Sequence, residues 1–156
     1  MARRGSSSRL HEIIEQLQLL AVERHHGCTI VLDLGEKLIS LSGQTLVDSL
    51  DLTEERHLRI ASSMSSVDGA IHIDRDCKLL AFACLLDGKK LEKENLDRGA
   101  RYNSALRFTH GKKDVIVVVV SEDGYRTVFD QNGEVEMDRQ LKPLKYVERS
   151  RQLLVE

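Results

Sequence analysis

Six consecutive β-branched residues, Val115 to Val120, constrain the fold more than any other segment of the sequence. Such residues are stiff at χ1 and pack well on a pleated surface, so the run predicts a β-strand. A strand with one wet face would alternate apolar and polar residues, whereas this run has no polar face. We therefore expect a strand inside a sheet that is covered by helices on both sides.

The rest of the chain alternates between strand-like and helix-like segments. Short apolar runs predict strands at 28–32, 70–73, 78–86, 125–129 and 135–137, and 37–41 is a possible return strand after Gly35, followed by a loop through 42–44. Helices are predicted at about 10–25, after Asp51, at 99–109 and at 142–154. This order favours an α/β fold with a central mixed β-sheet flanked by helices on both faces.

Two of the predicted helices carry start signals and an apolar face. Ser7 or Ser8 can cap the first, whose stripe either packs on its own sheet or also contacts a partner. Asp51 with Glu54 three residues later forms a capping-box pattern for the second. The first stripe comprises Leu10, Ile13, Ile14, Leu17 and Leu20, and the second comprises Leu58, Ala61 and Met64.

Length and charge limit the class of protein. The 156 residues suit one core, so we expect a flexible segment at 1–8 and a single domain at 9–156. A net charge of -2 provides no general attraction for nucleic acid. The longest apolar run has eight residues, too few to span a membrane. Three cysteines without a CxxC pair favour a reducing cytoplasm.

Asp68, Gly69 and Ala70 form the first of three segments with chemical potential. They lie between a serine-rich helix end and a predicted strand, so the carboxylate is expected at a sheet edge, with Gly69 leaving space for a ligand. A carboxylate there can bind Mg²⁺ or Mn²⁺. The alternative is an ordinary Asp-Gly turn.

Gly99, Ala100 and Arg101 begin the third predicted helix, and Ser104 lies one turn further on. A helix start offers free backbone N–H groups and the positive end of the dipole, and a guanidinium can grip phosphate in a fork. These features predict an anion site. The alternative is a surface arginine beside a helix.

Ser121 and Glu122 directly follow the Val115–Val120 strand. Open α/β sheets bind ligands beyond the carboxyl ends of their strands, so Glu122 is expected to share a metal with Asp68. The alternative is a plain acidic turn. No zinc-ligand spacing, P-loop or GxGxxG run occurs to direct the interpretation elsewhere.

Together, Asp68-Gly69-Ala70, the Gly99–Ala105 segment and the strand ending in Ser121-Glu122 resemble the diadenylate cyclase domains, which include the nucleotide-binding domain of the DNA integrity scanning protein. The resemblance implies condensation of two ATP into cyclic di-AMP and two pyrophosphates, with Mg²⁺, Mn²⁺ or Co²⁺. Because one domain holds one ATP, it implies a homodimer or higher homo-oligomer of facing sites, with ATP as the substrate and no nucleic acid or membrane as partner.

The resemblance also implies roles for individual residues. Asp68, Arg101 and Glu122 would be catalytic, with Asp68 and Glu122 as metal ligands. The residues that would bind nucleotide are Gly69, Ala70, Leu85, Gly99, Ala100, Arg101, Tyr102, Asn103, Ser104 and Ser121. Where the family usually has Arg-His-Arg, this chain has Arg101-Tyr102-Asn103. The alternative function is therefore an inactive sensor of the same fold that binds a nucleotide or a cyclic dinucleotide.

Overall fold

One mixed sheet organises the structure, a computed structural model that describes residues 2–138. Its strands are β1 (Cys28–Asp33), β2 (Ser42–Asp51), β3 (Ala70–Asp74), β4 (Lys78–Leu85), β5 (Val115–Val120), β6 (Arg126–Asp130) and β7 (Gly133–Asp138). The helices are α1 (Ala2–Glu23), α2 (Glu55–Ser65) and α3 (Ala100–Thr109), with a 3₁₀ turn at Leu96–Arg98. The strand order is β2-β4-β3-β1-β5-β6-β7. The predicted closing helix at 142–154 lies outside the described residues.

The β-branched strand lies inside the sheet, as its sequence predicts. β5 pairs with β1 on one side and β6 on the other, and all six residues are buried. Ile116, Val118 and Val120 pack with α1 and α2, whereas Val115, Val117 and Val119 pack with α3. The predicted mixed sheet between helical layers is therefore confirmed.

The apolar stripe of α1 packs on this sheet. Leu10, Ile13, Ile14 and Leu17 are all buried in the core that α1 and α2 share, and Leu20 is half-buried, so the stripe packs on its own sheet. The additional contact with a partner stays a prediction. The helix begins earlier than the sequence indicated. Because α1 starts at Ala2, Ser7 and Ser8 lie within the helix instead of capping it. Within residues 2–138, no helix is both long enough and apolar enough to cross a membrane.

Two local predictions are wrong. Residues 37–41 form no strand, and the predicted loop at 42–44 begins the edge strand β2. Most of β2 is exposed, so it lacks an apolar alternation, and Gly43 lies so close to β4 that an added Cβ would be 2.8 Å from the Cα of Cys84. Asp51 does not cap α2, because its carboxylate accepts hydrogen bonds from Thr53, and Glu54 occupies the cap position without a side-chain bond.

The strand directions bring several chain segments to one edge of the sheet. β1 runs parallel to β3, while β5 is antiparallel to β1 and β4 is antiparallel to β3. The amino ends of β1 and β3 therefore lie beside the carboxyl ends of β4 and β5, along one end of the sheet. We call this line of strand ends the Gly27 edge. The sequence placed the candidate site beyond the carboxyl ends of strands. This edge instead combines the carboxyl ends of β4 and β5 with the amino ends of β1 and β3.

Candidate functional site

Arg101 lies at the centre of the Gly27 edge. A Cβ added at Gly27 would be 2.6 Å from Nη1 of Arg101 and 2.8 Å from the carbonyl oxygen of Val120. The guanidinium therefore rests on the start of β1, beside the end of β5. Arg101 is exposed, and its N–H groups form no hydrogen bond with other described residues. A fork of donors is thus available to an anion at this edge.

Cys28, the first residue of β1, follows Gly27 and lies near enough to Arg101 to feel its charge. Burial raises the pKa of Cys28 to about 12, while the charge of Arg101 and a hydrogen bond with Ser65 act in the opposite direction. The side chain is 1% exposed. Cys28 is therefore a neutral, unreactive thiol at ordinary pH.

The amino end of α3 adds backbone donors next to the guanidinium. The first N–H groups of a helix have no acceptor within it, and no side chain caps α3. Gly99 precedes the helix with φ +84°, a conformation that favours glycine, and no atom lies within 4 Å of where its Cβ would be. The start of α3, including Ala100, therefore has open space for a phosphate group. Ser104 is half-buried one turn further on.

Asp68 is exposed just before β3 and forms no hydrogen bond or ion pair with other described residues. The space that the sequence assigned to a ligand beside Gly69 is filled by β4: a Cβ there would be 2.7 Å from the carbonyl carbon of Ala83. Gly69 has φ +106°, and Ala83 itself has φ +52° at an irregular pairing of the two strands. The packing of this segment against β4 thus requires a glycine at residue 69. Gly69 also fixes the backbone at the start of β3, directly after Asp68. Ala70 is buried as the first residue of β3.

Ser121 and Glu122 lie in the turn between β5 and β6. The N–H of Ser121 donates to the carbonyl of Tyr125 (2.8 Å), and its hydroxyl accepts from the N–H of Tyr125 (3.1 Å). The hydroxyl proton of Ser121 is left for a ligand. Glu122 is exposed and, like Asp68, forms no hydrogen bond or ion pair with other described residues.

The strand register gives the separation of the two predicted metal ligands. Ala70 and Val119 both pair with Thr29, so the Asp68 and Glu122 segments flank β1 at about two strand spacings, roughly 10 Å. No three His, Cys, Asp or Glu side chains within the described chain form a metal-binding group. Two exposed carboxylates without competing partners fit a Mg²⁺ or Mn²⁺ ion whose other ligands are phosphate oxygens. They do not fit a cage made of protein ligands alone.

Tyr102 and Asn103 are committed to contacts within the protein. The hydroxyl of Tyr102 donates to Glu134, its ring packs edge-on against Phe129, and Arg98 lies 4.3 Å over its face. Burial and the bond to Glu134 raise the pKa of Tyr102. The nucleotide contacts predicted for Tyr102 and Asn103 stay predictions. In this structure the polar groups of both side chains are bonded to other groups of the protein.

Asn103 joins α3 to the preceding loop. Its Oδ1 accepts from the N–H of Asn95 (3.2 Å), and its Nδ2 donates to the carbonyls of Asn95 (2.8 Å) and Gly99 (3.1 Å). The side chain is 7% exposed. Asn103 thereby fixes the backbone immediately before the open helix end, which is a role that the sequence did not reveal.

Exposed apolar side chains occur in the segments that carry or adjoin the polar groups. Leu85, at the end of β4, is 61% exposed, which leaves it available to a flat apolar group such as a nucleobase. Three further apolar residues are exposed in neighbouring segments: Val67 just before β3, Tyr125 in the β5–β6 turn, and Leu96 in the 3₁₀ turn before α3. Sequence reasoning missed Gly27 as well, although a glycine directly before a buried strand could have indicated a close approach.

An α/β domain that gathers a guanidinium, free helix amides and two carboxylates at one sheet edge belongs to the phosphate- and nucleotide-binding class. The family described as DisA bacterial checkpoint controller nucleotide-binding matches residues 19–135, which is most of the chain. The chain therefore belongs to this family of diadenylate cyclase domains and is a nucleotide-binding domain. The predicted family is confirmed. No curated protein matches the chain.

Solved structures share the fold. A crystal structure described as DacA from Staphylococcus aureus, an N166C/T172C double mutant, has a TM-score of 0.66 at 19% identity and covers 95% of this chain and 97% of that chain. A hypothetical membrane spanning protein from Bacillus cereus has a TM-score of 0.64 at 22% identity, covering 80% of this chain. The match spans 62% of that protein's chain. At these identities the likeness establishes the fold.

Proposed function

We propose that this domain is a metal-dependent diadenylate cyclase. The ribose 3′-hydroxyl of each ATP attacks the α-phosphate of the other, which forms two phosphodiester bonds and releases two pyrophosphates as cyclic di-AMP is made. The observation that carries the proposal is the meeting of Arg101, the uncapped end of α3 and the free carboxylate of Asp68 at one edge. Membership of a nucleotide-binding family supports a nucleotide as the ligand of this edge.

The residues at this edge divide the work between phosphate and sugar. Arg101 and the first amides of α3, from Ala100 onward, bind phosphate oxygens, and the hydroxyls of Ser104 and Ser121 add donors. Asp68 accepts a hydrogen bond from the 3′-hydroxyl and orients it. Holding two reactants in line accounts for much of the acceleration in phosphoryl transfer.

A divalent metal, Mg²⁺, Mn²⁺ or Co²⁺, would be held by Asp68 and Glu122 together with phosphate oxygens. When bound, it acidifies the attacking hydroxyl and neutralises charge that develops on the phosphate. Both carboxylates are exposed and lack partners among the described residues, so no existing interaction has to break before they bind it.

A homodimer of facing sites is part of the proposal, because the product contains two new bonds and one domain holds one ATP. Val67, Leu85 and Tyr125 are exposed at the strand ends of this edge, and Leu96 is exposed in the 3₁₀ turn before α3; together we call them the apolar rim. A second copy with the same rim would bury these side chains and exclude water from the reaction. We also propose the cytoplasm as the compartment, since Cys28, Cys77 and Cys84 are buried free thiols.

A second candidate function is a sensor that binds nucleotide or cyclic dinucleotide without turnover. The observation that favours it is the commitment of Tyr102 to Glu134 and of Asn103 to Asn95 and Gly99. Two positions at which the family usually supplies cationic donors therefore have no free side chain here. Pyrophosphate would then be held less firmly, and binding would remain while turnover is lost.

Incubation of the pure protein with ATP and Mn²⁺, followed by chromatography for cyclic di-AMP, separates the two functions. We expect product from the wild type, none from Asp68→Asn, and full activity from Asp48→Asn, which removes an exposed carboxylate of β2 outside the site. ATP recovered unchanged from a protein that binds it would establish the sensor. Failure to bind any adenine nucleotide would rule out both.

A further inference from the structure

The turn that carries Glu122 is attached to α1 by a buried amide. Nε2 of Gln18 donates to the carbonyl of Gly124 (3.1 Å), and Oε1 of the same side chain accepts from the guanidinium of Arg126. Gln18 and Arg126 are each 1% exposed. The contact joins residues that are far apart in sequence, so only the folded sheet creates it.

The buried guanidinium fixes which way the amide faces. An arginine can only donate, so the oxygen of Gln18 must point at Arg126. The NH₂ group then faces the carbonyl of Gly124, which can only accept. One amide orientation therefore satisfies both partners, and a flipped amide would leave buried polar groups unpaired.

Other side chains on the same stripe of α1 support this contact. Glu15, Gln18 and Val22 follow the i, i+3, i+7 spacing of one helix face. The charge of Arg126 acts on Glu15, whose pKa is raised mainly by burial. Val22 lies against the turn, because a Cβ at Gly124 would be 3.1 Å from its Cγ2.

The turn has its own internal bonds, and these leave its tip exposed. Besides the two bonds between Ser121 and Tyr125, the N–H of Gly124 donates to the carbonyl of Ser121 (3.0 Å). Glu122 and Asp123 thus lie on a turn that is closed by its own hydrogen bonds. Among the bonds of the described residues, the one side-chain hydrogen bond that reaches this turn from a distant part of the chain comes from Gln18. A shift of the Gly124 carbonyl would move both carboxylates relative to β1.

We propose that Gln18 is a positioning residue: it holds the Ser121–Tyr125 turn on α1 and thereby sets Glu122 at the nucleotide site. The proposal rests on the function proposed above, in which Glu122 binds the metal. Gln18 itself touches neither nucleotide nor metal in this account, and its effect passes through the carbonyl of Gly124.

Three variants test the proposal. Gln18→Leu removes both hydrogen bonds, whereas Gln18→Glu keeps an acceptor for Arg126 and replaces the donor to Gly124 with a repelling oxygen. Leu17→Ala is the matched control, since it removes a neighbouring buried side chain of α1 that is apolar and makes no hydrogen bond to the turn. The measurements are amide hydrogen exchange of residues 121–125, and the kcat, the KM for ATP and the Mn²⁺ concentration at half-maximal rate.

We expect both Gln18 variants to exchange the turn amides faster and to lower kcat by about tenfold, with a higher Mn²⁺ requirement, because a small displacement of a metal ligand is costly. The KM for ATP should stay within about twofold, because Arg101 and α3 are unchanged. Leu17→Ala should lower the melting temperature and leave turn exchange and kcat close to wild type.

Unchanged turn exchange in the Gln18 variants would overturn the proposal. So would a Leu17→Ala protein with the same changes in turn exchange and Mn²⁺ requirement, since Gln18 would then be a core residue like its neighbour. If the wild type forms no cyclic di-AMP, the proposed function fails by itself. Turn exchange and the Mn²⁺ affinity of the ATP complex then decide the role of Gln18 in the same way.

Discussion

The guanidinium of Arg101 rests directly on Gly27, at a distance that leaves no room for a side chain at residue 27. A Cβ there would be 2.6 Å from Nη1 and 2.8 Å from the carbonyl oxygen of Val120. The first neighbour can move, because it is the end of a flexible side chain, but the second is backbone in the central strand β5. The glycine therefore serves both the sheet and the placement of the phosphate-binding arginine.

We predict that Gly27→Ala displaces Arg101 and weakens ATP binding by about tenfold or more, with a loss of about 1–3 kcal/mol in unfolding free energy from the overpacking against Val120. Calorimetric titration with a nonhydrolysable ATP analogue and urea unfolding measure the two effects. Gly35→Ala is the control, because its nearest contact is 3.4 Å away. Equal ATP affinity for Gly27→Ala and wild type would show that Arg101 does not bind phosphate from this position.

A second prediction concerns the Asn103 side chain. Asn103→Asp keeps an acceptor for the N–H of Asn95 but loses both donors and places a carboxylate oxygen against the carbonyls of Asn95 and Gly99. We expect the unfolding free energy to fall by about 1–3 kcal/mol, because buried acceptors lose their partners. The affinity for the ATP analogue should fall as well, because the backbone before α3 loses its support.

Asn132→Asp serves as the matched control for that experiment, since Asn132 is exposed in the β6–β7 turn, which lies against the carboxyl end of α3 and not against the loop before its start. Both substitutions add the same charge, so a general electrostatic effect on ATP would appear in both proteins. If Asn103→Asp unfolds at the same urea concentration as wild type, the hydrogen bonds to the loop contribute no net stability.

The sequence predicted those elements whose burial is visible in their own composition and residue spacing. The β-branched run of β5 and the apolar stripe of α1 both indicate burial by composition and spacing, and the structure confirms both. β2 was missed because an exposed edge strand shows no apolar alternation. Gly43 in the sequence is typical of a turn, and only its close contact with Cys84 in the fold shows that it belongs to a strand. Asp51 had the pattern of a helix cap, but Thr53 lies closer and takes the carboxylate.

The candidate site was only partly accessible from the sequence, for a similar reason. The motifs around Asp68, Arg101 and Glu122 identified the family, and the sheet brings all three segments to one edge. Gly27 before a buried strand could have indicated a close approach, but which groups approach it, and which turn Gln18 contacts, depends on which elements become neighbours in the fold. The side-chain partners of Asn103 likewise arise from a loop whose path has no sequence signal.

A third prediction separates backbone from side-chain crowding at Gly69. Gly69→Ala would place a Cβ 2.7 Å from the carbonyl carbon and 2.9 Å from the Cα of Ala83, at φ +106°. We expect a loss of more than about 3 kcal/mol in unfolding free energy, since strain and overlap add. Ala83→Gly relieves the strain of its own φ of +52°, so the matched reference is that single variant. Adding Gly69→Ala to Ala83→Gly should cost as much as adding it to wild type, because the crowded atoms are backbone. A clearly smaller loss in the Ala83→Gly background, measured by urea unfolding, would contradict this geometry.

The last prediction concerns the dependence of stability on pH. Burial raises the pKa of Cys28 from 9.0 to about 12 in the folded protein. Below pH 9 the thiol is protonated in both states, so its contribution to stability is complete. Above pH 9 the unfolded chain loses a proton that the folded chain keeps, and stability falls until the pH passes the folded pKa. Urea unfolding between pH 8 and pH 10.5 should therefore show a decline that is shallower in Cys28→Ala, by up to about 1.4 kcal/mol per pH unit. Equal slopes would mean that burial does not hold the Cys28 thiol neutral in the folded protein.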